Sequence, residues 1–286
     1  MRHSRLTLWL LGGFTLLVYA YKILPVFVVV ALAFNPPEFG SFPIVGFTTR
    51  WFGGLLDNPA VVTAVKTSLR LAVATAAIAT VLGVAAAYAL VRYPFRGRAA
   101  VQLLLTMPIL VPHLIVGVGL LLAFRILGLS RSFTLMLLGH VALTMPFVIL
   151  TTQHRLQAIP LYLEEASRTL GANGWQTFRE VTLPLAAPAI VTGFVFAFMS
   201  SFDEVTATLF WRPANFDTVP IYVLSELQNS VSQELNALAA ALVGFSVGVP
   251  VLTMLLLHLW TSRRRRPARA PEATPAWQPA TEGDAR

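Results

Sequence analysis

Residues 163–184 read LEEASRTLGANGWQTFREVTLP, and the fold turns on where that stretch is placed. It carries Glu164, Glu165, Arg168, Arg179 and Glu180, yet it lies between two apolar runs long enough to sit in lipid. A segment so charged belongs in water, outside the bilayer. It is not composed like a flexible linker. Leu161, Ala166 and Leu170 recur with helical spacing, Gly171-Ala172-Asn173-Gly174 breaks the pattern, and a second short helical piece carries Trp175 and Phe178. The stretch reads as helix, turn, helix, with Gly171 supplying the tight turn. A Trp and a Phe on such an elbow gain little in water unless a partner covers them.

The rest of the chain supports lipid as the main solvent. Hydrophobic residues make up 56% of the 286 and charged residues 12%, with a mean hydropathy of +0.69, where soluble domains carry about 25% charged residues. A net charge of +8 would suit nucleic acid, but the basic residues cluster at the ends of apolar runs, where they act as topology signals. No nucleic-acid partner is expected. The chain lacks cysteine, which excludes disulfides and thiolate metal sites. Its five histidines show no H-E-x-x-H or other ligand spacing, so no metal, cofactor or nucleophilic catalytic residue is expected.

The first apolar run, from Leu8 to about Phe34, follows a short basic start. It is longer than the apolar region of a signal peptide and has no small-residue cleavage site, so it reads as a retained span. Lys22 inside it is expected to snorkel or to face a protein neighbour. Residues 35–59 hold Pro36, Pro37, Pro43 and Pro59 and read as an extramembrane loop with a short helix near Trp51 to Leu56. Further apolar runs cover about 64–91, 100–124, 133–152, 185–210 and 235–260. Pro108 and Pro112 break helical hydrogen bonds in the third, which marks it as a candidate pore wall. The glycines at 117, 119, 244 and 248 fit close helix packing. His140, His154 and His258 read as packing or interface residues.

Six such runs can each cross a core about 30 Å thick, giving an all-α membrane protein with both termini on one side. Fourteen of the 21 Lys and Arg then fall on the side of the 163–184 loop, six on the other, and Lys22 within a span. By the positive-inside rule that loop is cytoplasmic.

Asp203 and Glu204 form the one acidic pair inside an apolar run. On a helix rising about 1.5 Å per residue, Asp203 would lie about 27 Å from Leu185, toward the outer end. An ionisable pair at that depth marks a candidate cation site. The bland alternative has both residues meeting outer-leaflet water or an arginine such as Arg212.

Glu165-Ala166-Ser167, three residues, Gly171, nine residues and Val181-Thr182-Leu183-Pro184 resemble the EAA loop of permease subunits of ATP-binding-cassette importers, with Ser167 and Val181 as conservative departures. In that family the loop is a coupling helix that docks on a cytoplasmic ATPase. The stretches FTTRWF (47–52), RYPFRGR (92–98), LGANGWQTFR (170–179), SFDE (201–204) and ELNALA (234–239) are similar to the spermidine/putrescine branch. The resemblance covers about Asn35 to Trp260. It implies a type I importer permease of six transmembrane helices, the later five forming the shared core, in the bacterial inner membrane.

On that resemblance, Glu165, Ala166, Ser167, Gly171, Trp175, Phe178, Leu183 and Pro184 serve ATPase coupling. Asp203, Glu204 and His113 line the substrate pathway; His113 stands near Pro112, where relatives often carry an acidic residue. The implied partners are two ATP-binding subunits, a second permease subunit in a heterodimer and an external solute-binding protein. The expected layout is 1–34 for the first span, 35–63 for an extracytoplasmic loop, 64–260 for the core with its coupling loop at 161–184, and 261–286 for a disordered basic tail. The chain has no G-x-x-x-x-G-K-[ST] loop, so ATP is expected to be hydrolysed by a partner. Other readings are an importer of phosphonate, iron or another solute, and a secondary transporter using Asp203 and Glu204.

Overall fold

The computed structural model describes residues 5–38, 42–214, 216–229 and 232–264, and these form a helical bundle. In chain order come α1 (Arg5–Leu32), α2 (Arg50–Asp57), α3 (Pro59–Arg92), α4 (Arg98–Thr106), α5 (His113–Ile126) and α6 (Phe133–Ala158). Then follow α7 (Leu161–Thr169), α8 (Gly174–Thr177), α9 (Leu183–Phe202), α10 (Thr208–Trp211), α11 (Val219–Asn229) and α12 (Gln233–Arg264). Helices α1, α3, α6, α9 and α12 are long and apolar enough to cross a membrane, and α4 with α5 makes a sixth, broken crossing.

Local chemistry sets the ends. Asn58 caps α3 by accepting from the N–H groups of Ala60 at 3.0 Å and Val61 at 3.4 Å, with Pro59 in the first turn, where its missing N–H costs nothing. Tyr93 and Ile159 are extended because each precedes a proline. That rule stops α3 at Arg92 and α6 at Ala158.

The third apolar run is not a straight span. A 3-10 turn at Met107–Ile109 ends its first half. The chain then turns through 107° before His113. Pro108 and Pro112 lack the N–H groups that would carry a helix through this point. The fifth run also stops early: α9 ends at Phe202, residues 203–207 leave the helix, and only the short α10 follows. Two helix breaks, at Pro112 and after Phe202, thus lie in the bundle. Helix α11 falls between the expected apolar runs.

Helices α3, α6 and α9 pack most closely, through Ala72, Ala76, Ala79, Val148 and Ala197, all fully buried. A Cβ on Gly83 would lie 2.8 Å from Val148 Cβ, and one on Gly193 would lie 2.6 Å from Thr151 Oγ1. Lipid offers no hydrophobic drive between helices, so small residues that let backbones approach supply the contact. Among the glycines expected to do this, Gly117 meets Phe210 and Ala207, whereas Gly119, Gly244 and Gly248 face open space.

At the end of the bundle away from the 163–184 elbow, Trp51 Nε1 donates to the Asn35 carbonyl at 2.9 Å. Gln233 Nε2 donates to the carbonyls of Leu32 at 2.8 Å and Asn35 at 3.2 Å. The stretches 47–52 and 234–239 therefore meet in space. Helix α1 packs along α12, with most of its large apolar side chains and Lys22 exposed. Of the expected tail at 261–286, residues 261–264 continue α12, whereas residues 265–286 lie outside the described residues, as do residues 1–4.

Candidate functional site

The elbow is two short helices bonded into one piece. Gly171 takes φ +92° between α7 and α8, the left-handed region that glycine alone enters without cost. Asn173 Oδ1 accepts from the Gln176 N–H at 2.9 Å while the Asn173 N–H donates to Gln176 Oε1 at 2.8 Å, a reciprocal capping box. The hydroxyls of Ser167 and Thr177 lie 3.3 Å apart and join the two helices. Five residues of π-helix, Phe178–Thr182, lead from there into α9.

This construction decides which expected coupling residues point outward. Glu165, Ala166, Gly171 and Trp175 are exposed; Ser167, Phe178, Leu183 and Pro184 are half-buried. Leu170 is 89% exposed and Trp175 67%, so the apolar stripe read from the sequence faces away from the bundle. A groove of about 780 Å³ runs between the helices, lined by Leu163, Ala166, Leu170, Gln176, Val181 and Pro184. Phe178 packs edge-on against Tyr88 of α3, with ring centroids 5.0 Å apart, and stacks on Trp175 at 5.7 Å.

One residue of the elbow escaped the sequence reading. Glu164 is buried, and Arg92 at the end of α3 grips it through Nε and Nη2, each 2.9 Å from Oε1. Thr182 donates to the same oxygen at 3.0 Å, and Arg92 Nη2 also donates to the Ile159 carbonyl at 3.4 Å. The contact places the 92–98 loop and the elbow on one side of the bundle, as the charge count requires. Two adjacent glutamates were visible in the sequence, but which of them turns inward depends on α3, 72 residues away.

The second cluster joins the two helix breaks. His113, first residue of α5, has Nδ1 2.5 Å from Glu204 Oε2. Glu204 Oε1 accepts from the Ala207 N–H at 2.7 Å, so both oxygens of this buried carboxylate are engaged. Asp203 is exposed and accepts a hydrogen bond from Ser246 of α12 at 3.3 Å. The expected carboxylate pair is therefore two unlike groups, one bound inside the bundle and one facing out. Arg212 partners neither; it pairs with Asp217.

Beneath this cluster, His140 of α6 is fully buried and bonded at both ring nitrogens, to Ser201 Oγ at 2.9 Å and Thr208 Oγ1 at 2.9 Å. The Trp211 ring packs edge-on to it at 6.0 Å and donates its Nε1–H to the Gly117 carbonyl at 2.9 Å. His140 is thus a packing residue as expected, but a polar one. His154 and His258 are exposed. Among the described residues no three or more of His, Asp and Glu come together as a metal site.

Six crossings with a bonded elbow between the fourth and fifth define the type I permease fold of ATP-binding-cassette importers. The chain belongs to the family of binding-protein-dependent transport system inner membrane components, whose model matches residues 79–267. It is therefore a multi-pass inner-membrane component of a binding-protein-dependent transport system. It is 34% identical over 245 residues to the spermidine/putrescine transport system permease protein PotC of Escherichia coli, covering 86% of this chain and 92% of that one. The putrescine transport system permease protein PotI of the same organism is 35% identical over 247 residues, covering 84% and 85%. A bacterial transporter involved in import of the acidic polysaccharide alginate superposes with a TM-score of 0.66 at 18% identity, covering 91% of this chain and 96% of that chain; at that identity it speaks for the fold alone.

Proposed function

We propose that this chain is one of two pore-forming subunits of an ATP-driven importer of polyamines, spermidine or putrescine, or of a related small cation. The observation that carries the coupling half is the elbow: a bonded unit between two spans that offers Leu170, Trp175, Glu165 and Ala166 to a partner. An exposed apolar patch on a charged loop is what a docking surface requires. In this reading two ATPase subunits bind there from the cytoplasm, with both termini of this chain on that side, and their closure moves the helices. A second, different permease subunit completes the pathway, and an external binding protein delivers the cargo.

The cargo is supported by the names of the two similar permeases and by Asp203, an exposed carboxylate at the α9 break that can draw an ammonium group. Glu204 is bound to His113, so its role is to hold the break in shape rather than to meet cargo directly. The assembled transporter, reconstituted in vesicles with its binding protein, should take up spermidine only with ATP. Asp203→Asn should raise the KM for spermidine on the order of tenfold, as for the loss of one charge-assisted contact, with assembly unchanged. Unaltered spermidine uptake by that variant would remove Asp203 from the pathway. An importer of another solute is favoured by one feature: with Glu204 occupied by His113, the site offers one free-facing carboxylate instead of two.

A further inference from the structure

The elbow is continuous in sequence with α6 and α9, and its Leu163 packs with Leu156 of α6 and Ala186 of α9, but its buried ion pair is with α3. Its link to α6 runs through Ile159-Pro160, where the helix breaks. Its link to α9 runs through the π-helical turn Phe178–Thr182, a wider turn than the α-helix on either side. Both covalent links are places where a helix gives. The attachment to α3 differs in kind. Arg92 and Glu164, with side chains 7% and 2% exposed, form a buried ion pair, and Thr182 closes on the same carboxylate oxygen from the far end of the elbow. One turn earlier on α3, Tyr88 holds Phe178. A single carboxylate thus ties the start of the elbow, its end and α3 into one body.

We propose that Arg92 and Glu164 are the positioning residues through which partner-driven movement of the elbow is delivered to α3, making α3 the driven helix and α6 and α9 followers. The inference rests on the elbow being the ATPase docking site. A charge pair suits this task. Separating two buried opposite charges is far more costly than sliding apolar side chains past one another, so the joint moves as a unit. Helix α3 in turn carries the small-residue face against which α6 and α9 pack.

The test uses the full transporter and the fact that the chain has no cysteine of its own. A single cysteine at Val73, an exposed α3 position, reports movement of α3 through its rate of maleimide labelling with and without ATP. In the otherwise native chain, ATP should change that rate. With Glu164→Gln the ATPase should still co-purify and hydrolyse ATP, while the ATP-dependent change in labelling falls on the order of tenfold, the size of an ordinary coupling between sites. Arg92→Lys, which keeps the charge but not the two-nitrogen grip, should lose part of it, and should do so even if Glu164→Gln fails to accumulate. An ATP-dependent change as large in both variants as in the native chain would overturn the proposal, as would a Val73 position insensitive to ATP in the native chain. Failure of any ATPase to co-purify with the native chain would instead overturn the docking reading beneath it.

Discussion

Glu204 and Asp203 are neighbours in sequence and opposites in setting. A carboxylate with both oxygens bound inside the bundle cannot be removed cheaply, because the Ala207 N–H it caps is buried and would be left without an acceptor. Glu204→Ala, by stripping this group from the break, should lower the unfolding midpoint of the solubilised protein, whereas Asp203→Asn should leave it unchanged. His140 belongs to the same logic. Its replacement by alanine leaves the Ser201 hydroxyl without its partner in a dry interior, while the Thr208 hydroxyl keeps the Glu204 carbonyl at 3.0 Å, a cost of about 1–3 kcal/mol for the stranded group. Thermal unfolding in detergent measures both; a His140→Ala protein as stable as the native one would show that water or a rotamer change replaces the ring.

At the scale of elements, the elbow depends on one backbone angle and one cap. Gly171 at φ +92° admits no side chain without strain, even though a Cβ there would meet no neighbouring atom. The strain for an ordinary residue is about 1–2 kcal/mol, too little to unfold the protein and enough to change the angle between α7 and α8. Gly171→Leu should therefore insert normally but transport poorly, with ATP hydrolysis persisting in the complex. Normal spermidine uptake by reconstituted Gly171→Leu would separate the turn from coupling. The periodicity that revealed the elbow did not reveal its inward face: Leu161, Ala166 and Leu170 lie outside, and Glu164 is the anchor. Residue hydrophobicity alone would have assigned the opposite orientation.

For the whole molecule, the arrangement of six crossings makes a prediction about sidedness. A single cysteine at Leu170 should react with a membrane-impermeant maleimide only from the cytoplasmic face, and one at Phe47, on the 47–52 stretch, only from outside. Labelling of Leu170→Cys in intact cells would reverse the topology and remove the elbow from any ATPase. The same preparation distinguishes an importer from a secondary transporter: this chain reconstituted without ATPase should carry no spermidine, whatever the ion gradient.

What the sequence determined by itself is what local chemistry controls. Apolar length marks the crossings, the Lys and Arg bias predicts their direction, and the Gly171-Ala172-Asn173-Gly174 break marks the turn of the elbow. Proline positions foretold a weak point near Pro112. Only the tertiary structure decided what happens there: a bend of 107°, the joining of His113 to Glu204 across 91 residues, and the burial of Glu164 against Arg92. Lipid explains the difference. Every span must be apolar to enter it, so the pattern of apolar residues says that a helix crosses without saying which face meets protein. That choice falls to small-residue packing and to a few buried polar contacts between residues far apart in the chain.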